Sequence, residues 1–356
     1  MLQNLVSPTR HALFEALAER VDLTVLFMAR TEPTRGWDPA AELRYPHVFL
    51  PGVHASFRAA GDVDSFHFNP TVVRAIRRGR FDALLCAGYL SPTTWLALAA
   101  AKSADTRFLL WFGTAWPPVG SRARLAAPVK RAIVRSSDGV VAYGQAARKQ
   151  ALALGAAPER VQIAVNTTDV RPFAAARRTV TERPTALWVS RFMPRKRPDL
   201  AVSLLARLAE EVPGLRAVFV GDGPERAATE RAAQRAGLDA SFLGDVAYDE
   251  LPAIYAAADL FVFRGEREPW GLTVNEALAA GLPVLASTGV PAASELVPAA
   301  AGAVSDDEDA LVEAGVRLLH DEGAREAARS VLPRIVPEAW ADAVVAAAAA
   351  AVRWPA

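Results

Sequence analysis

Short apolar runs alternate with stretches of helical period along the whole chain, the pattern that builds parallel sheets with helical crossovers. In the first half, strands are expected at Leu23–Phe27, Ala83–Cys86, Phe108–Phe112, Val140–Ala142 and Val161–Ala164. Helical period falls on Thr9–Arg20 and Val72–Arg80. In the second half the strands are expected at Ala186–Val189, Ala217–Val220, Phe242–Leu243, Leu260–Phe263 and Val284–Ala286, each followed by a helix-like segment. The chain opens Met1-Leu-Gln-Asn-Leu-Val-Ser-Pro-Thr-Arg10, a stub of a strand and a turn without glycine.

Between the halves, Arg171 to Pro184 has proline near its start and at its end, four arginines and no sustained period, so it reads as a linker. The expected organisation is an N-terminal Rossmann-like domain over 1–170, a linker over 171–184, and a second Rossmann-like domain over 185–336. A C-terminal helix over 337–356 would pack back on the first domain. The fold class is α/β, two doubly wound domains facing across a cleft. Open parallel sheets bind ligands beyond the carboxyl ends of their strands.

With 356 residues the chain has room for two domains. The formal charge, 40 − 39 = +1, gives no basic field that would argue for nucleic acid. The single cysteine, Cys86, excludes an intrachain disulfide and a cysteine zinc cluster and belongs to a buried strand. No charged leader precedes an apolar run, and the longest apolar stretch, Ala343 to Val352, is short of a span, so a cytoplasmic protein is expected. Only Lys102, Lys130, Lys149 and Lys196 are lysine, which gives each of them weight.

Three strings carry candidate chemistry. The first runs from Arg264 to Val284, leaving a buried strand, crossing a loop and entering a helix near Thr273. Glu268 and Glu276 stand on it with seven residues between them. Gly271 permits close backbone approach, and the free amides after it make an anion site. A carboxylate in that turn can accept from the vicinal hydroxyls of a ribose, and the other can meet sugar hydroxyls. The bland alternatives are a capping box at Thr273-Val-Asn-Glu276 and a solvated charge at Glu268. The second string, Leu187 to Pro198, ends a strand in a loop with Arg191, Arg195, Lys196 and Arg197. Cations there can neutralise a diphosphate leaving group. Arg191 and Lys196 are the expected pair, and Arg195 and Arg197 are expected to be solvated. The third is the Gly221-Asp-Gly223 turn, which fails as a dinucleotide fingerprint because Arg226 stands at the third glycine position.

These strings resemble the retaining glycosyltransferases of the GT-B fold, family 4. That family carries an Arg-x4-Lys pair, a Gly-Asp-Gly turn and a Glu-x7-Glu motif, matched here by Arg191 and Lys196, Gly221-Asp222-Gly223, and Glu268 and Glu276. Phe242-Leu-Gly-Asp-Val246, Leu251-Pro-Ala-Ile-Tyr255 and Val141-Ala-Tyr-Gly144 add support. The resemblance implies that Arg191 and Lys196 hold the diphosphate, Glu276 the ribose and Glu268 the donor sugar. Gly271, Leu272 and Thr273 would present amides to the phosphates, and the loop after Leu243, at Gly244, would frame the base. It also implies a nucleotide diphosphate sugar as co-substrate, no cofactor, no metal, and transfer of a hexose-type sugar to a hydroxyl acceptor with retention.

The first half departs from the family pattern. Ser7-Pro8-Thr9 replaces a glycine-rich loop, and the segment Trp111 to Pro117 lacks the usual histidine. His11 and His67 stand elsewhere and are read as surface or packing. Tyr89, Thr114 and Trp116 are the acceptor-side candidates; Trp111, Trp116 and Tyr89, at strand ends, could stack on a sugar, with core packing the more common role for each. Asp62-Val-Asp64 is read as a polar surface loop rather than a metal site. Arg122, Arg124, Lys130, Arg131 and Arg135 make a basic helix, either a solvated face or a peripheral membrane contact. The rival classes are a nucleotide-sugar epimerase of the same architecture and a two-domain ligand-binding protein without catalysis.

Overall fold

The computed structural model describes residues 1–31, 43–59, 62–117 and 126–353. It divides into two compact units, Met1–Asp169 with Pro337–Ala356, and Val170–Val336.

Unit 1 contains β1 (Leu2–Leu5), β2 (Val25–Ala29), β3 (His47–Phe49), β4 (Val53–Ala59), β5 (Asp62–Phe68), β6 (Ala83–Ala87), β7 (Arg107–Phe112), β8 (Gly139–Ala142) and β9 (Val161–Ile163). Seven of these form one sheet in the order β3-β2-β1-β6-β7-β8-β9, and every neighbouring pair is parallel. Side chains alternate between its faces. Leu84, Phe108, Leu110, Phe112 and Val140 enter one apolar cluster, while Leu85, Leu109, Trp111 and Val141 enter another. Both faces are covered, which is why these strands are unbroken apolar runs.

The helix Pro337–Arg353 covers the second face through Trp340, Ala341, Val344, Ala347 and Ala351, all buried. Trp340 packs 5.1 Å from Trp111, ring centre to ring centre. By length and composition the stretch Ala324–Val352 could cross a membrane. It is divided into the helices Ala324–Arg329, Leu332–Ile335 and Pro337–Arg353. The buried stripe on the last of these is that of a core helix.

Unit 2 contains β10 (Thr185–Val189), β11 (Arg216–Val220), β12 (Ala240–Phe242), β13 (Leu260–Phe263), β14 (Val284–Ala286) and β15 (Gly302–Val304). They form a parallel sheet in the order β12-β11-β10-β13-β14-β15. The chain winds outward to one side from β10 and to the other from β13, so the switch point lies between these two strands. Ligands bind beyond the carboxyl ends of strands at such a point.

Several expectations need correction. The stretch 171–184 is no free linker. Its first residues form a helix, Arg171–Ala175, whose Phe173 is fully buried, and Thr179 N–H donates to Ala256 O at 3.0 Å. One large aromatic is enough to anchor a segment too short to show a period. Asp62-Val-Asp64 lies on β5, paired with β4 in an antiparallel hairpin, rather than in a loop. The opening turn needs no glycine, because Pro8 starts a 3-10 turn, Pro8–Arg10, that leads into the helix His11–Ala18.

A cavity of about 910 Å³ lies in unit 1 beside Thr24, Leu26, Ala83, Leu85 and Val344. Its lining includes Met1, Thr24 and Asp82, just before β1, β2 and β6, on the edge opposite to the one where parallel sheets present ligand groups.

Candidate functional site

Two loops leave the carboxyl ends of β10 and β13, and the strongest sequence strings fall on them. After Val189 the chain turns through a short 3-10 segment, Pro194–Lys196, and enters the helix Pro198–Glu211. The Gly-Asp-Gly turn sets this path. Phe192 N–H donates to Asp222 O at 2.9 Å, and Glu225 N–H to Phe192 O at 3.0 Å. A Cβ on Gly221 would lie 2.0 Å from Ser190 O, so only glycine lets the two turns meet, and its φ of 118° suits no other residue. The turn therefore supports the loop that carries Arg191.

After Phe263 the second loop is half sunk into the unit. Arg264, Glu268, Trp270 and Gly271 are buried, and Glu266 and Arg267 are exposed. Glu266 N–H donates to Arg195 O at 2.7 Å, which ties the two loops together, and Glu268 N–H donates to Gly289 O at 2.9 Å.

That tie brings three charges to one point. Lys196 Nζ lies 2.8 Å and Arg195 Nη1 2.7 Å from Glu268 Oε1. Glu268 is 3% exposed, so the pairing acts at reduced dielectric and ion screening. The Lys196 ammonium also sits 5.2 Å from the centre of the Phe263 ring. Arg195, expected to be solvated, is thus part of the cluster; in a run of Arg-Lys-Arg, spacing alone does not say which side chain turns inward. Arg197 turns outward to Asp199 and Glu266. Arg191 is exposed and makes no ion pair among the described residues.

The helix after this loop, Leu272–Ala280, starts at Gly271, whose φ of 105° is left-handed. A Cβ there would come within 2.7 Å of Val290 Cγ1. The first turn holds no acidic residue and no side-chain cap. The amides of Leu272 and Thr273 have no intrahelical acceptor and can receive an anion. The capping box is not formed: Gly271, not Thr273, is the cap residue, and Glu276 is in the second turn.

Glu276 is buried and accepts two hydrogen bonds, from Tyr248 Oη to Oε1 at 3.2 Å and from Tyr255 Oη to Oε2 at 2.9 Å. Burial raises its pKa to about 7, with Tyr255 and then Tyr248 pulling the other way. Tyr255 itself is pushed well above its ordinary range by burial and the nearby carboxylate, so it stays a donor. Sequence reasoning did not single out either tyrosine for a role. The available signal was the Leu251-Pro-Ala-Ile-Tyr255 string, which places Tyr255 on the buried side of the helix Leu251–Ala256. Gly244 is buried with a φ of 76°, and its carbonyl accepts from Gly221 N–H at 2.8 Å, so the base-framing candidate adjoins the Gly-Asp-Gly turn.

In unit 1, Tyr89 Oη and Thr114 Oγ1 are 2.9 Å apart, and Lys130 Nζ lies 5.3 Å from the Tyr89 ring centre. Trp116 is half-buried. Trp111 is core, with the Arg10 guanidinium 4.6 Å from its ring centre. His11 shares a hydrogen bond with Tyr45 at 3.0 Å, and His67 is buried beside His54. On the helix Ala127–Ser136, Arg131 and Arg135 are exposed; Arg122 and Arg124 lie outside the described residues. No cluster of three or more metal-ligating side chains occurs among the described residues.

Comparison with known proteins agrees with this layout. The family profile "Glycosyl transferases group 1" matches residues 171–330, and "Glycosyl transferase 4-like domain" matches residues 6–167. A GDP-mannose-dependent alpha-(1-6)-phosphatidylinositol monomannoside mannosyltransferase of Mycobacterium tuberculosis is 34% identical over 226 residues, 51% of this chain and 59% of that protein. A GDP-mannose-dependent alpha-mannosyltransferase of the same organism is 33% identical over 60% of this chain and 57% of its own length. The chain thus spans somewhat over half of these relatives. Among solved structures, a glycosyltransferase from Rickettsia africae superimposes with a TM-score of 0.75 at 14% identity, covering 99% of both chains. Anabaena HepE, in complex with UDP and glucose, gives 0.69 at 18% identity over 97% of this chain and 98% of that one. With two parallel-sheet units, each matched by a glycosyl transferase profile, the chain belongs to the group 1 glycosyltransferases of the GT-B fold.

Proposed function

We propose that the chain transfers a hexose-type sugar from a nucleoside diphosphate to an acceptor hydroxyl with retention, without a metal in the chemical step. One observation carries this reading. At the switch point of unit 2, two cations, a buried acid and the open amides of a helix start all stand on loops that are hydrogen-bonded to each other. Such a set binds a diphosphate and presents a carboxylate to a polyol.

In this reading Lys196, Arg191 and the Leu272 and Thr273 amides stabilise negative charge as the bond from sugar to phosphate breaks. Arg195 joins them. Glu268 receives hydroxyls of the sugar, Glu276 those of the ribose, and the Gly244 loop frames the base. A donor phosphate oxygen takes the proton of the attacking hydroxyl. On unit 1, the paired hydroxyls of Tyr89 and Thr114, with Trp116, contact the acceptor. The GDP-mannose named in two relatives makes that nucleotide sugar the first donor to test.

Calorimetric titration of GDP-mannose and UDP-glucose provides the test. If the bound diphosphate buries the Arg191 side chain, Arg191→Ala should weaken donor binding by about 2–5 kcal/mol, the usual loss when one partner of a buried, hydrogen-bonded charge pair is removed. Unchanged donor binding in that variant ends the assignment of Arg191 to the diphosphate. Conversion of the nucleotide sugar to another nucleotide sugar without acceptor would point to an epimerase instead.

A further inference from the structure

The Glu276 carboxyl is held from behind by a small aromatic frame. Phe173 packs edge-on against Tyr255 at 5.2 Å and 88°, and against Tyr248 at 5.9 Å and 67°. Tyr255 also stacks on Phe261 at 5.7 Å and 24°. Each tyrosine hydroxyl donates to a different oxygen of Glu276. An ionised carboxylate offers about four lone-pair positions. Two are taken, so two remain.

We propose that Tyr248 and Tyr255 are positioning residues for ribose recognition, turning Glu276 so that its two remaining acceptor positions receive the 2′- and 3′-hydroxyls of a bound nucleotide, with Phe173 fixing both rings. The proposal rests on the reading of Glu276 as the ribose ligand. It goes beyond that reading by assigning the geometry and the ionisation of the acid to the two tyrosines that donate to it.

The ionisation follows from the surroundings. Burial raises the Glu276 carboxyl to about 7, and the two hydroxyls oppose that rise. Tyr248 and Tyr255 are the titratable groups that act on it. Arg171 and Glu295 stand on the flanking helices, and Arg325 and Arg329 donate to Ala258 O and Ala280 O. A proton on Glu276 replaces an acceptor with a donor, so the diol loses a partner as pH falls through about 7. Removing a tyrosine hydroxyl removes a downward influence, so the midpoint moves to higher pH.

The experiment compares affinities for guanosine and uridine diphosphates with those for their 2′,3′-dideoxy forms, which titrate identically at the phosphate. Between about pH 8 and about pH 5.5 the ribo-to-dideoxy ratio should fall by up to about thirtyfold, the change expected for a single group that titrates near neutrality. In Tyr255→Phe and Tyr248→Phe the midpoint of that fall should move to higher pH, and sugar transfer should show a raised donor KM with little change in kcat. Glu276→Gln should give a low, flat ratio. Failure of the wild type to bind either diphosphate, or a wild-type ratio retained in Glu276→Gln, overturns the ribose reading itself. A flat ratio in Glu276→Gln together with wild-type midpoints in both tyrosine variants overturns the positioning proposal alone. Tyr248 is half-exposed, so its variant remains informative if Tyr255→Phe folds poorly.

Discussion

In unit 2, the loops after β10 and β13 place two cations on one buried acid. At the same edge of unit 1, Tyr89 meets Thr114, and the partly buried Arg10 meets Asn166 Oδ1 at 2.8 Å and Thr167 O at 3.2 Å. Arg10 lies over Trp111 and Tyr143, and burial lowers its pKa, with Tyr143 opposing that change. One edge is a charge network with an acid at its centre; among the described residues, the other carries a pair of hydroxyls and two cations, Arg10 and Lys130, set against aromatic rings. Under the proposed function the contrast separates two tasks. Gripping a diphosphate needs opposed charges in a fixed arrangement. Meeting a neutral hydroxyl needs donors and acceptors within its reach, as Tyr89 and Thr114 are within reach of each other.

The contrast can be broken most forcefully from the unit 1 side. Trp340→Ala removes a fully buried ring from the face that Trp111 shares, and should cost about 3–5 kcal/mol of stability. Thermal unfolding reads that loss, and nucleotide titration at low temperature should be unchanged while the chain stays folded. On the unit 2 side, Glu268→Ala leaves Lys196 and Arg195 without their shared acid and should cost about 3 kcal/mol. Because Arg195 is 37% exposed on its side chain, water relieves part of the penalty on that partner. Glu268→Gln should fold better than Glu268→Ala and still lose sugar transfer; a fully active Gln variant would remove Glu268 from the chemistry. The smallest effect is expected at Tyr89→Phe, which deletes one hydrogen bond worth about 1 kcal/mol. It should alter acceptor KM and leave donor affinity alone. A change in donor affinity instead would erase the distinction between the two edges.

How much of this could be read in advance differs between the same two regions. The strands Leu260–Phe263 and Val284–Ala286 have the expected bounds, because a central parallel strand is an apolar run cut sharply by polar loops. The strands missed are marginal ones. β3 and β15 have three residues each, and β4 and β5 form a hairpin whose Phe66 and Phe68 are exposed, so those apolar residues do not mark a core face. In the site, Lys196, Glu268 and Glu276 stood out because one short string carries both acids and one loop carries the cations. Arg195 did not, since a side chain's direction within a tight turn depends on the neighbouring loop. Tyr248 and Tyr255 were hidden for a similar reason: their target is more than twenty residues away in the chain and meets them only through packing.

Burial of Glu276 has a cost that falls on the empty protein, and the two tyrosine hydroxyls lessen it. Keeping that acid ionised in the fold, with a pKa near 7 against an ordinary 4.5, opposes folding by about 3 kcal/mol once the pH is well above both values. The sign is opposite to that proposed for ligand capture: resistance to unfolding declines as pH rises from about 4.5 to about 7 and is flat above that, while hold on the nucleotide should improve through the upper part of the range. A preparation kept mildly acidic should therefore store better than it works, and adding nucleotide should matter most to its shelf life on the alkaline side.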